Sequence, residues 1–155
     1  MKKYSYLLLG ALLLTLAGVP ASSYAISSPS RVVYNPGDLQ AAYQVDLRDI
    51  SQTARYADQI LVVGELPYTP FNVMEALQGR VAGVRVFNRG WNYYAVMRGW
   101  QRPLYVIDGL PVDAHAVNTL NPNDVMTIEV HQGLGASLFG GRGSGGALVF
   151  NTRRG

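Results

Sequence analysis

The chain has 155 residues, 48% hydrophobic and 15% charged, a balance that suits one packed domain better than a disordered chain. These 155 residues are too few to hold a transport β-barrel as well, so any such barrel is expected from another chain. The formal charge is +3, but the only lysines, Lys2 and Lys3, sit at the extreme N-terminus, and the remaining 11 arginines against 10 acids leave +1. So even a balance offers no basic patch for nucleic acid. There is no cysteine, which rules out disulfides, thiol catalysis, thiolate metal sites and a lipid anchor on cysteine.

The first predicted element is a secretory signal over residues 1–25. Lys2 and Lys3 give a positive start, residues 7–16 are almost wholly apolar, and Ser23 and Ala25 are small at the two positions a signal peptidase reads. The apolar run ends near Gly18 and Pro20, short of the roughly 20 residues that a spanning helix needs, so no membrane span is expected in the mature chain. Removing these 25 of 155 residues leaves 130 to fold. Residues 26–35 are rich in Ser and Pro and lack a period, which reads as a flexible lead. Over 36–57, Val45, Leu47 and Ile50 are too sparse to choose between a short helix and a loop, so 26–58 stands as a lead of unassigned structure.

A short strand is predicted over 60–63, ended by Gly64 and Pro67. Thr69-Pro70 and Asn72 with Glu75 three residues later are helix-start signals, and Val73, Leu77 and Val81 then recur every four residues until Gly83. Strands follow over 84–87, 93–98 and 104–107, the last with Pro103 at its edge. Asp108-Gly109 is a turn signal into residues 110–112, and residues 121–124 form another turn. In the next strand Val125, Thr127 and Glu129 alternate with Met126, Ile128 and Val130. A short helix over 136–139, a glycine-rich turn and a last strand over 147–152 complete the order, with no internal repeat. This order implies an α/β (α+β) fold, with a mixed sheet of about four strands and two or three short helices. The expected core is Leu77, Val81, Val84, Val86, Val106, Ile107, Ile128, Val130 and Val149.

Chemical motifs are weak. Gly141, Gly143 and Gly146 have the G-x-G-x-x-G spacing, but a strand follows them where a dinucleotide site needs a helix and a later acid. They are assigned to tight-turn geometry with Gly140, as are Asp108 and Gly109. Ser137 and Ser144 lack a nucleophile elbow. His115 and His131 are 16 residues apart, a spacing more usual for surface histidines than for a metal pair, even with Asp113 nearby. Trp91, Tyr93, Tyr94 and Trp100 cluster on a strand pair, where packing is the first expectation and ligand stacking the second. No catalytic residue, metal or cofactor is expected.

Five segments carry a resemblance: 75–86 (EALQGRVAGVRV), 97–99 (MRG), 103–112 (PLYVIDGLPV), 120–130 (LNPNDVMTIEV) and 140–143 (GGRG). Together they resemble the plug domain of TonB-dependent outer-membrane receptors, especially the starch-utilisation type, over about 59–155. The resemblance implies a domain that sits inside a barrel, closes its lumen and rearranges when an energised periplasmic partner pulls a short N-terminal segment. Gln59, Ile60, Leu61, Val62, Val63 and Gly64 resemble that segment and are the candidate contact for a TonB-like energising protein. Arg98 and Arg142 match the arginines of the family's Met/Ile-Arg-Gly and Gly-rich Arg-Gly motifs, which the resemblance implies pair with barrel-wall carboxylates.

The expectation is therefore a free-standing, exported, non-enzymatic plug-like domain in the periplasm, associated with the outer membrane. It would occlude or regulate an outer-membrane β-barrel supplied by another chain. The alternatives are a periplasmic adaptor or ligand-binding module that keeps the plug fold, and a barrel-less fragment of a receptor.

Overall fold

The computed structural model describes residues 32–44 and 46–153. The predicted signal, residues 26–31 and Val45 of the lead, and Arg154 and Gly155 lie outside the described residues. Strand β1 (Val33–Tyr34) is followed by helix α1 (Pro36–Tyr43), which has Pro36 in its first turn and ends at Gln44 in the left-handed region, φ 52°. Helix α2 (Leu47–Ile50) is one turn, capped by the Asp46 carboxylate accepting the Arg48 N–H at 2.9 Å. Within the stretch expected to be a flexible lead, Val33 and Tyr34 pair with Leu61 and Ile60. Two residues are too few to show a period, so the sequence does not reveal this strand.

Strand β2 (Gln59–Val62) precedes a 3-10 turn at Val63–Glu65. The helix expected from residue 73 is instead a short 3-10 segment, Val73–Leu77. Asn72 caps it by accepting the Met74 N–H at 2.9 Å, and Gly79 turns left-handed at φ 72°, well before Gly83. Val73, Leu77 and Val81 are buried as their spacing required, but Met74 and Ala76 are buried as well. A segment covered on nearly every side has no solvent face to carry an amphipathic helix.

Next come strands β3 (Val84–Arg89) and β4 (Asn92–Met97), which among the described residues pair only with each other, and then β5 (Leu104–Ile107) and β6 (Leu110–Val112). Helix α3 (Ala114–Asn118), not expected from the sequence, is capped by the Asp113 carboxylate accepting the Ala116 N–H at 2.8 Å. Five residues hold too little apolar pattern to announce it. A 3-10 turn at Pro122–Asp124 leads into β7 (Val125–His131). A 3-10 segment, Leu134–Gly143, kinks at Gly140 before β8 (Ala147–Thr152).

The main sheet has the order β1-β2-β7-β8-β5-β6, antiparallel except where β5 runs parallel to β8. The α/β (α+β) class and the mixed sheet hold, with six strands and a separate hairpin in place of about four strands. One face of the sheet carries Leu61, Ile128, Val130, Leu148 and Phe150 into the main core, which includes Val73, Met74, Leu77, Val84 and Met97. The other face meets the N-terminal layer, where Leu39, Leu47, Ala54 and Ala57 gather on Ile60. Of the expected core, Val86 and Ile107 are only partly buried.

Leu77 is fully buried at the centre of the main core, so Leu77→Ala should cost about 2–5 kcal/mol in urea unfolding. A loss below about 0.5 kcal/mol would remove it from the core. Gly146 has φ 98°, and a Cβ there would lie 2.9 Å from Met97 Cε and 3.0 Å from the His131 carbonyl oxygen. Gly146→Val should therefore destabilise the fold by more than about 1 kcal/mol; an unchanged unfolding midpoint would contradict this backbone.

Candidate functional site

Strand β4 ends in an unusual loop. Met97 and Gln101 exchange backbone hydrogen bonds of 2.8 and 2.9 Å, closing three residues that are all left-handed: Arg98 at φ 42°, Gly99 at 74° and Trp100 at 77°. A non-glycine residue held there stores about 1–3 kcal/mol of strain. Arg98 is exposed on this loop and lines an open depression of about 480 Å³ with Gly83, Arg85, Met97, Trp100 and Gln132.

Arg142 is exposed in the segment after the Gly140 kink. The turn that follows it packs against the Arg98 loop, since a Cβ on Gly145 would come within 2.6 Å of the Arg102 carbonyl oxygen and 3.2 Å of Gln101 Cβ. The two candidate arginines thus rise from adjoining segments. Neither makes an ion pair with a described residue.

The outer face of the β3–β4 hairpin borders the same depression. Arg85 lies opposite Val96, and Phe87 opposite Tyr94. Phe87 and Tyr94 stack with centroids 5.5 Å apart, Phe87 and Trp100 are also 5.5 Å apart, and the Arg85 guanidinium lies 5.5 Å from the Trp100 centroid. The aromatic cluster expected from the sequence is therefore divided. Tyr94 and Trp100 share Phe87, Tyr93 packs on the main core, and Trp91 meets Phe71 at 6.0 Å at the hairpin tip. Arg85 and Phe87 were missed by sequence reasoning, although their alternation with Val84 and Val86 was the signal for an outward face.

Asp108 at φ 46° and Gly109 at φ 84° make the two-residue turn from β5 to β6, and the Asp108 carboxylate accepts the Thr152 N–H and hydroxyl, each at 2.7 Å. Gly140 and Gly146 have positive φ. Gly143 does not, but a Cβ there would collide with the Ala136 carbonyl, whereas Gly141 has open space around it. The candidate energising segment lies inside the sheet: Gln59 to Val62 form β2 between β1 and β7, Ile60 and Leu61 are fully buried, and Val63 and Gly64 open the next turn.

His131 departs from the surface expectation. It is fully buried, with Nε2 3.0 Å from Glu129 Oε2, its ring 5.3 Å edge-on from Phe139, and Nδ1 unpartnered. Glu129, also fully buried, accepts from the Thr53 hydroxyl at 2.6 Å and from Asn151 Nδ2 at 2.7 Å. Burial opposes ionisation of Glu129, but hydrogen bonds from His131, Thr53, Asn151 and Ser51 outweigh it and hold the carboxyl below its ordinary value. His115 is exposed on α3, far in sequence from this group, and among the described residues no three potential metal ligands gather.

With this geometry in view, comparison with known proteins is informative. Residues 68–147, just over half of the chain, match the TonB-dependent Receptor Plug Domain family. The chain belongs to this family. Arg98, Asp108, Gly109 and Arg142 lie within the match, and residues 59–64 lie outside it. Over 94 residues, 54% of this chain and 9% of the relative, it is 29% identical to TonB-dependent receptor P39 of Formosa agariphila. It is also similar to the RagAB peptide importer in its open-open and closed-closed states. Each superposes with a TM-score of 0.53 and 28% identity over 61% of this chain and 12% of the importer chain. The chain thus spans about a tenth of the length of these relatives.

The folded-state shift of Glu129 predicts a pH dependence. Because its carboxyl ionises more readily in the fold, its stabilisation is complete above the ordinary value of 4.5 and is lost as pH falls through the lower folded value. Glu129→Gln should therefore narrow the stability gap to the parent protein as pH drops from 7 toward 3, read by urea unfolding. A gap that stays constant would exclude this linkage.

Proposed function

We propose that the chain is a partner-binding plug, working at the outer membrane from the periplasmic side, that occludes or regulates a transport barrel supplied by another chain. It performs no catalytic step in this reading. The observation that carries it is the pair of arginines. Arg98 and Arg142 lie inside the family match, stand exposed on adjoining segments and meet no described carboxylate. A guanidinium binds a carboxylate through two parallel hydrogen bonds, and inside a lumen that pair is screened far less than on an open surface.

The energising step in this reading acts on residues 59–64. A TonB-like partner drawing on that segment removes β2 from between β1 and β7, taking Ile60 and Leu61 out of both cores. A second reading, that the plug and its barrel belong to one longer transporter, is favoured by the matched region's small share of its relatives, 9% and 12%. The apparent mass of the endogenous protein, read on a blot of outer membranes, separates the two.

The plug reading is tested by recovering the partner barrel from outer membranes with tagged protein and measuring its affinity for Arg98→Ala, Arg142→Ala and the double variant. Each single change should weaken binding by about 2–5 kcal/mol, because truncation strands a buried carboxylate on the barrel. Arg48→Ala, in the N-terminal layer, should leave affinity unchanged. Equal affinities for all four proteins would remove the arginine contacts and leave occlusion to shape alone.

A further inference from the structure

We propose that the seam between residues 54–58 and the segment Leu134–Gly143 is a pH-operated joint, closed while the His131 ring is neutral and opened when that ring takes up a second proton. This goes beyond the plug reading, since the contact lies inside the chain and needs no barrel.

The geometry first sets the tautomer. Glu129 stays ionised above its ordinary value of 4.5 because of the hydrogen bonds it accepts, so the 3.0 Å contact puts a proton on His131 Nε2 and leaves Nδ1 a bare lone pair. A fully buried ring tolerates that state, because an unmet lone pair costs less than an unmet charged donor. Imidazole is the side chain that ordinarily changes charge between about pH 5 and 8, and a second proton has no place but Nδ1. It would make there an N–H that meets no acceptor among the described residues.

The surroundings decide what moves. On β7 the charged neighbour is Glu129, already bound to Nε2; on β8 Ala147 stands opposite His131, and Asn151 donates to Glu129. Of the N-terminal layer, Thr53 donates to Glu129, Ser51 is bonded to Thr53, and the Asp58 carboxylate is taken by the Gln132 and Gly133 N–H groups. Arg55 lies over the Tyr56 ring, and the segment Leu134–Gly143 brings the Phe139 ring and, exposed, Arg142. The remaining acceptor is the Tyr56 carbonyl, which stands behind Gly135: a Cβ on that glycine would collide with the carbonyl and lie 3.0 Å from His131 Nδ1. The new N–H therefore reaches the carbonyl, or water, when Gly135 gives way. β7 cannot yield instead, being bonded on both edges, whereas Ala136 and Gly143 are the only buried residues of the segment. Arg142 rides on the same segment, so the joint sets where that arginine stands.

The test follows the purified chain from about pH 8 to about pH 5 by amide hydrogen exchange, corrected for the intrinsic rate, and by the nitrogen shifts of the His131 ring in NMR spectra. Acidification should protonate Nδ1 and raise exchange over 54–58 and 134–139 about fivefold or more, while β7 and β8 stay protected. The rise should vanish in His131→Leu and persist in His115→Gln, which changes an exposed histidine on α3. The ring shifts are read on the parent chain, so the proposal stays exposed to failure even if His131→Leu does not fold. An Nδ1 that stays unprotonated at about pH 5, or that gains its proton with no faster exchange at the seam, would overturn the joint. So would a rise that survives in His131→Leu, or one that spreads equally over β7 and β8.

Discussion

Strand β7 is bonded on both edges, to β2 and β8, and covered on both faces, so every side chain along it needs a partner inside the protein. Ile128 and Val130 meet that demand by packing in the main core. On the opposite face Thr127, Glu129 and His131 are also buried, and a carboxylate there is tolerable only when its oxygens are occupied. Thr53, Asn151 and His131 occupy them, from the N-terminal layer, β8 and β7 itself. Residues 46–58 are therefore more than a lead. Removing them would leave Glu129 short of Thr53 and uncover Ile60, so the N-terminal layer and the sheet are coupled through one buried carboxylate and one small core.

What the sequence revealed follows from where local rules suffice. Asp108-Gly109 announced its turn because two successive left-handed residues admit few side chains, and residues 147–152 announced β8 because the run is apolar between a glycine cluster and a basic end. The 73–77 segment misled because a four-residue recurrence reports which positions are buried and not whether a solvent face exists. His131 misled for the same reason: period two placed it with Glu129, but only the N-terminal layer, which has no clear period, makes that face an interior. The arginines Arg98 and Arg142 came from resemblance. The Arg85, Phe87 and Trp100 assembly could not, because it depends on the loop 98–100 folding back through three left-handed residues of which only Gly99 is an evident signal.

The hairpin that bears this assembly is held firmly despite having no strand partner outside itself. The Tyr105 hydroxyl accepts the Ala95 N–H at 2.9 Å, and burial pushes that phenol up from its ordinary value, which keeps it a neutral hydrogen-bonding group. Asn118, at the end of α3, accepts the Tyr93 N–H at 2.9 Å and donates to the Tyr93 carbonyl at 2.8 Å. These side chains do for β4 what a neighbouring strand would do.

The proposed holding and releasing contacts consequently sit on different supports. Arg98 is carried by the loop that closes the hairpin, and Arg142 by the segment that packs against that loop. Residues 59–64 belong to a strand whose outer neighbour, β1, is only two residues long. Pulling on β2 breaks its backbone bonds to β7 and draws Asp58 away from the Gln132 and Gly133 N–H groups, and Gln132 lines the depression that holds Arg98. Gln59 is tied to the same place, since its side chain exchanges hydrogen bonds with the Ala82 backbone directly before Gly83. In the proposed reading, tension applied at 59–64 would reach the rim of the arginine site through two short polar connections. Release of a barrel contact would then, in that reading, require displacement of β2 and no unfolding of the hairpin.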